Sequence, residues 1–191
     1  MQAGQRRVLT IVMVINALTF LLVLAAALYS GSSSLLSGGL DNLGDALAYG
    51  LSLAVVGAGL RAQARVALFK ACLILAAALA VAVRIVWHVA HPVVPVFDVM
   101  GLAAVANLIA NGVCLYLLTP HRHSNVNMAS VWECSRNDVI EGVAVIVAAI
   151  GVGAFNSGWP DLIIAAILLL VFLRSAARVF RAALAALRQA G

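Results

Sequence analysis

Six apolar runs follow one another along the chain, and each is close to or above the ~20 residues that a helix needs to cross a bilayer. They lie at about 8–29, 35–59, 66–90, 94–118, 126–155 and 160–182. Of the 191 residues, 64% are hydrophobic and 10% are charged. Because so few polar residues remain to cover the surface of a soluble domain, the sequence predicts an all-α, polytopic membrane protein with six transmembrane helices and short loops.

The distribution of Lys and Arg predicts how the helices are oriented, since basic residues concentrate on the cytoplasmic side of membrane proteins. Of the 12 basic residues, only Arg84 is expected near the opposite, non-cytoplasmic side. The other basic residues fall at the termini or at the second and fourth joins: Arg6, Arg7, Arg61, Arg65, Lys70, Arg122, Arg136, Arg174, Arg178, Arg181 and Arg188. We therefore expect a multi-pass protein of the inner (plasma) membrane with both termini in the cytoplasm.

The predicted domain organisation is simple. A six-helix transmembrane transport domain covers 1–182, and a short basic cytoplasmic tail covers 183–191. The arginines from Arg174 onward suit a basic helix lying on an anionic inner leaflet, and they suit equally a frayed end that carries positive-inside charge.

Several function classes are excluded by composition. The net charge of +5 does not indicate a nucleic-acid partner, because the basic residues are scattered singly without interleaved aromatic residues. There is no glycine-rich nucleotide loop, so we expect no organic cofactor and no ATP-driven step. Cys72, Cys114 and Cys134 lie inside apolar runs and are interpreted as thiols rather than disulfides.

Two of the predicted helices carry metal-binding side chains at positions i and i+4. Asp41 and Asp45 lie in the second run, and Cys134 and Asp138 lie in the fifth. Residues four apart share one face of a helix. One carboxylate at the centre of a bilayer costs roughly 2.5–3.5 kcal/mol on insertion scales, so three of them predict a divalent cation that offsets this cost.

The expected depths bring the two pairs together. At ~1.5 Å per residue, Asp45 lies ~15 Å from one membrane face and Asp138 ~16 Å from the other. Three carboxylates and a thiolate suit four-coordinate Zn²⁺, sulfur also favours Cd²⁺, and Mg²⁺ or Ca²⁺ would need more oxygens. The rival interpretation is ion pairing with Arg84 and Arg136, but one base near each end of the bilayer does not neutralise acids at its middle.

Other polar residues leave alternatives open. Asn16 in the first helix is predicted to join helices by hydrogen bonding, and Asn16 and Asn107 are also candidates to contact the metal ligands. His121 and His123, in a predicted cytoplasmic join, either contact metal or are merely solvated.

Two stretches resemble known signatures. Residues 30–45, SGSSSLLSGGLDNLGD, and residues 127–138, NMASVWECSRND, resemble the second-helix and fifth-helix signatures of the cation diffusion facilitators. The similarity continues through 158–161, GWPD, and 173–178, LRSAAR. It implies a homodimeric exporter that exchanges a divalent metal, usually zinc, for protons, with Asp41, Asp45, Cys134 and Asp138 as ligands.

The chain departs from this family pattern at three places. Cys134 stands where His or Asp is usual, which makes a preference for Cd²⁺ or Co²⁺ an open alternative. The second join, at 59–65, lacks the histidine-rich motif of many relatives. Most relatives also carry a cytoplasmic metal-sensing domain after the sixth helix, and we expect none here, so dimerisation is expected to depend on the helices.

Transport is the predicted function, and we expect no enzymatic activity. A metal-binding sensor or structural subunit that moves no metal is the alternative from another class. An intramembrane hydrolase would need a base beside a metal-activated water, and Glu141, one turn beyond Asp138, is the candidate for it.

Overall fold

The computed structural model of the protein describes residues 3–54, 60–123 and 126–189. Within these ranges all the regular structure is helical, as the sequence predicts. The elements are α1 (Ala3–Ser30), α2 (Ser33–Ala54), α3 (Leu60–Ala90), α4 (Phe97–Leu118), a 3₁₀ turn (Thr119–His121), α5 (Val126–Phe155) and α6 (Trp159–Gln189).

The surface of the helices is apolar and the interior holds polar groups. Leu102 is 75% exposed and Leu79 is 65% exposed, whereas Asn16, Asn107 and Asn111 are buried. A lipid solvent requires this inverted pattern, because polar groups must find partners inside the protein. Among the described residues, four stretches are long and apolar enough to cross a membrane: Gly4–Ser30, Cys72–Ala90, Phe97–His121 and Val131–Phe155.

Some helix boundaries differ from the predicted ones. The predicted loop at 30–34 narrows to Gly31 and Ser32, since Gly31 has a φ of +77° that suits glycine and reverses the chain at once. The predicted loop at 155–159 narrows to 156–158. α4 begins at Phe97 rather than at 94: Pro95 disfavours the helical conformation at Val94, and Val96, the residue before the helix, has an extended backbone.

The first, second, third and sixth helices also differ from their predicted ranges. α1 begins at Ala3 rather than at 8, and α3 begins at Leu60 rather than at 66, so the predicted second join is helical from residue 60 onward. α6 continues beyond residue 182 to Gln189, without a break at the predicted start of the tail. The predicted end of the second helix at residue 59 lies outside the described residues, and so do Ser124 and Asn125 of the histidine-bearing join.

α2 lies at the centre of the bundle and contacts all five of the other α-helices. Two glycines allow close packing around it. A Cβ atom at Gly39 would lie 3.2 Å from Cγ1 of Val23 on α1, and one at Gly38 would lie 3.5 Å from Nδ2 of Asn107 on α4. Around this centre, α3 packs along α6 and α5 along α4.

The turns α1–α2, α3–α4 and α5–α6 meet at one end of the bundle, which we call the distal end. The Val96 N–H donates a hydrogen bond to the Ser30 carbonyl oxygen at 2.9 Å. A Cβ atom at Gly158 would overlap the Val93 carbonyl oxygen, so only glycine fits at this contact. The opposite end, with the chain termini and the α4–α5 join, is the proximal end.

Asp161 of α6 links α6 to the start of α2 at the distal end. It is 1% exposed, and its Oδ1 accepts hydrogen bonds from the hydroxyls of Ser32 and Ser34, both at 2.6 Å. The backbone N–H groups of Ser33 and Ser34 donate to the same carboxylate at 2.7 and 3.0 Å. These N–H groups have no acceptor within their own helix, so Asp161 caps α2 from another helix. Nδ1 of His88 on α3 lies 3.0 Å from Oγ of Ser33, so α3 also joins this hydrogen-bond network.

Candidate metal centre

Three of the four predicted ligands meet between α2 and α5. One carboxylate oxygen of Asp45, Sγ of Cys134 and one carboxylate oxygen of Asp138 all lie within 4.8 Å of one another. Asp45 is 4% exposed and Asp138 is 6% exposed, while Cys134 is half-buried. A single cation placed among these atoms would reach all three.

Hydrogen bonds orient the Asp45 carboxylate. The Cys134 thiol donates to Oδ1 across 3.4 Å, and the Tyr49 hydroxyl donates to Oδ2. Because thiol and carboxyl ligands bind metal in their deprotonated forms, a cation bound at these atoms would replace the thiol proton of this hydrogen bond.

Asp41 lies one turn from Asp45 on α2 but is not part of the 4.8 Å group. It is half-buried and lines a cavity of about 270 Å³ between α2, α3 and α6, whose other walls include Leu47, Leu73 and Phe172. At least one of the distances from Asp41 to the other three ligand atoms therefore exceeds 4.8 Å, although its carboxyl still acts electrostatically on that of Asp138.

Three other carboxyl groups act on that of Asp138: Asp45, Asp41 and Glu141. Glu141 is half-buried, and among the described residues its enclosed Oε2 has no hydrogen-bond partner. A buried concentration of carboxyl groups is costly without compensating positive charge, so the electrostatics of the site favour a bound cation.

The two asparagines considered as contacts to the metal ligands form hydrogen bonds between helices. Asn16 Nδ2 donates to the Val12 carbonyl oxygen at 2.9 Å and to Cys114 Sγ at 3.7 Å, which links α1 to α4. Asn107 Oδ1 accepts a hydrogen bond from Nδ2 of Asn42 at 2.7 Å. This bond links α4 to α2 at the residue that follows Asp41. The Asn16–Cys114 and Asn42–Asn107 bonds fit the helix-joining role.

The predicted histidine pair lies at the proximal end. His123 is exposed and its Nε2 accepts a hydrogen bond from Arg122 Nε at 2.9 Å. In the part of the chain that the structure describes, neither His121 nor His123 belongs to a group of three or more metal-binding side chains.

Sequence reasoning missed Tyr49, which contacts a candidate ligand directly. Its position at i+4 from Asp45 on one helix face was an available signal. A tyrosine in an apolar run is, however, usually a core residue, and nothing in the sequence shows where its hydroxyl points.

Comparison with known proteins adds one match. The family model described as the cation efflux transmembrane domain matches residues 9–188. No curated protein matches the chain.

Proposed function

The chain belongs to the cation efflux family, and on that premise we propose that it exports Zn²⁺ through the centre of Asp45, Cys134 and Asp138. Members of this family are membrane transporters of divalent metal cations. The observation that carries the proposal is the convergence of three ligand atoms within 4.8 Å, from two helices, in a buried and acidic setting.

The donor set supports Zn²⁺ as the substrate. Zn²⁺ takes four ligands in a tetrahedron and accepts thiolate together with carboxylate. The thiolate also suits Cd²⁺. Co²⁺ accepts the same tetrahedral geometry as Zn²⁺, so both ions are alternative substrates. Asp41 is one turn away and would supply the fourth ligand after a rearrangement of α2, with water in that position until then.

Exchange for protons follows from competition at the same atoms. The ligands must lose protons to bind metal, so metal binding releases protons and proton uptake releases metal. Metal affinity is therefore expected to fall as the pH falls. Coupled transport further requires that the site open to one membrane face at a time, and the hydrogen bonds of Asp161 between the distal turns support a state closed on the distal face.

The proposed topology has six spans with the proximal end in the cytoplasm of a plasma-membrane protein. The exposed Arg6, Arg7, Arg122, Arg136 and Arg174 support this orientation. Assembly as a homodimer is part of the proposal and rests on the family resemblance.

Zinc flux in proteoliposomes tests the function. In vesicles with an acidic interior, we expect the outward flow of protons to drive Zn²⁺ accumulation inside, and a protonophore to abolish this accumulation. Zn²⁺ binding without flux would favour the sensor or structural-subunit alternative, and flux that ignores the proton gradient would remove the exchange mechanism.

Asp41→Asn tests the fourth ligand. If Asp41 completes the coordination sphere during transport, the amide should lower Zn²⁺ affinity by about 10- to 100-fold, the range for groups that shape a metal site. Titration of the purified protein measures this effect. Asp98→Asn, at an exposed acid in the first turn of α4, is the matched control. Unchanged Zn²⁺ affinity in Asp41→Asn would show that Asp41 is not a ligand, and that the ion is held by three protein ligands and water.

Cys134→His tests the contribution of sulfur. The imidazole keeps a Zn²⁺ ligand but removes the soft donor that favours Cd²⁺. We expect Zn²⁺ transport to persist and the Cd²⁺/Zn²⁺ transport ratio to fall about tenfold. Cys72→Ser, at an exposed thiol of α3, should leave the ratio unchanged. The same ratio in wild type and Cys134→His would show that sulfur does not bind the ion.

A further inference from the structure

Tyr49 is a buried polar residue that the transport cycle described above does not use. It lies one turn from Asp45 on the proximal side of α2 and is 2% exposed. Its ring belongs to a packed cluster with Leu9, Val12, Cys114, Leu118 and Met128. This packing fixes the ring, and with it the direction of the hydroxyl.

The hydroxyl of Tyr49 determines which oxygen of Asp45 faces the centre. It donates to Oδ2, while Oδ1 lies 3.4 Å from Cys134 Sγ. This hydrogen bond uses one lone pair of Oδ2 and fixes the plane of the carboxylate, so an ion between Asp45, Cys134 and Asp138 would compete with the Tyr49 hydroxyl to bind Oδ2 as well. The hydroxyl thereby favours binding of Asp45 through Oδ1 alone.

The number of oxygens that a carboxylate offers discriminates between metal ions. Zn²⁺ is satisfied with one oxygen from each carboxylate in a four-coordinate site. Mn²⁺ prefers six oxygen-rich ligands in an octahedron, which a site of few residues approaches only if its carboxylates bind through both oxygens or if water enters.

We propose that Tyr49 is a specificity-determining residue, whose hydroxyl holds Asp45 to one ligand oxygen and so favours four-coordinate Zn²⁺ over Mn²⁺. The inference rests on the proposed function, because it requires that ions bind at this centre. It acts through Asp45, so Tyr49 is a positioning residue and not a ligand.

Tyr49→Phe removes the hydroxyl and keeps the ring in its packed cluster. We expect the Mn²⁺/Zn²⁺ affinity ratio of the purified protein to rise about tenfold or more, the scale on which groups that orient metal ligands act. Co²⁺ is the second probe, since tetrahedral Co²⁺ absorbs visible light more intensely than six-coordinate Co²⁺. The intense bands expected in wild type should weaken in the variant. Tyr116→Phe, at a 78% exposed tyrosine of α4, is the matched control.

The outcomes separate this inference from the function itself. Wild-type Co²⁺ bands and an unchanged Mn²⁺/Zn²⁺ ratio in a folded Tyr49→Phe protein would overturn the role of Tyr49 and leave the transport proposal intact. A wild-type protein that binds neither Zn²⁺ nor Co²⁺ would overturn both. Tyr49→Met removes the same donor with a flexible apolar side chain, and must shift the ratio in the same direction should Tyr49→Phe fail to fold.

Discussion

Asp138→Asn is expected to abolish metal transport while leaving the protein folded. The amide has nearly the shape of the carboxyl group but carries no negative charge, so it removes one of the three converging ligands without opening a cavity. Since groups that only orient metal ligands already change affinity by about 10- to 100-fold, loss of a ligand should reduce Zn²⁺ flux by at least about 100-fold. Flux into proteoliposomes and Zn²⁺ titration in detergent measure the two parts of this effect.

Glu133→Gln is the control for Asp138→Asn. Glu133 is an exposed acid on the same helix, five residues toward the proximal end. Its change to the amide removes the same unit of charge. Its flux should match wild type. Normal flux in Asp138→Asn would exclude the centre from the transport path, and equal losses in both variants would indicate a general effect of charge on α5.

Asp161→Ala is expected to destabilise the protein by about 3 kcal/mol or more. It removes the acceptor of four hydrogen bonds at the start of α2. Buried donors left without an acceptor cost about 1–3 kcal/mol each before relaxation, and a lost helix cap costs about 0.5–2 kcal/mol. For a chain of this size the change corresponds to a fall in melting temperature of about 6–12 °C, measurable by thermal unfolding in detergent.

Asp98→Ala provides the comparison for Asp161→Ala. Asp98 lies in the first turn of α4, as Asp161 does in α6, but its side chain is exposed. Removing it should change stability by about 0.5 kcal/mol at most. Equal melting temperatures for the two variants would show that the bonds to Ser32, Ser33 and Ser34 do not contribute to stability.

The candidate ligands were predictable because a charged residue in an apolar run has few explanations. The spacing of Cys134 and Asp138 puts both on one face of α5, and both side chains do contribute ligand atoms to the candidate centre. The same rule pairs Asp41 with Asp45, yet Asp41 faces a cavity beside α3 and α6. Four residues span 400° of helical rotation rather than 360°, so a centre that faces Asp45 need not face Asp41.

The distal connections were not predictable from local sequence. Asp161 is separated from Ser33 by 128 positions, and the acid at the start of α6 suits the dipole of its own helix equally well. The Gly158 contact with Val93 likewise depends on two turns from different parts of the chain.

The helical, membrane-embedded class of the protein and its candidate cation ligands could be predicted from the chain alone. Both follow from periodicity and from the cost of placing charge in hydrocarbon. Only the packed bundle shows that Asp45, Cys134 and Asp138 bring ligand atoms within 4.8 Å of one another, that Tyr49 engages one oxygen of Asp45, and that Asp161 caps α2. Periodicity specifies which residues share a helix face, whereas the rotation and depth of each helix against its neighbours are set by side-chain packing across the whole bundle.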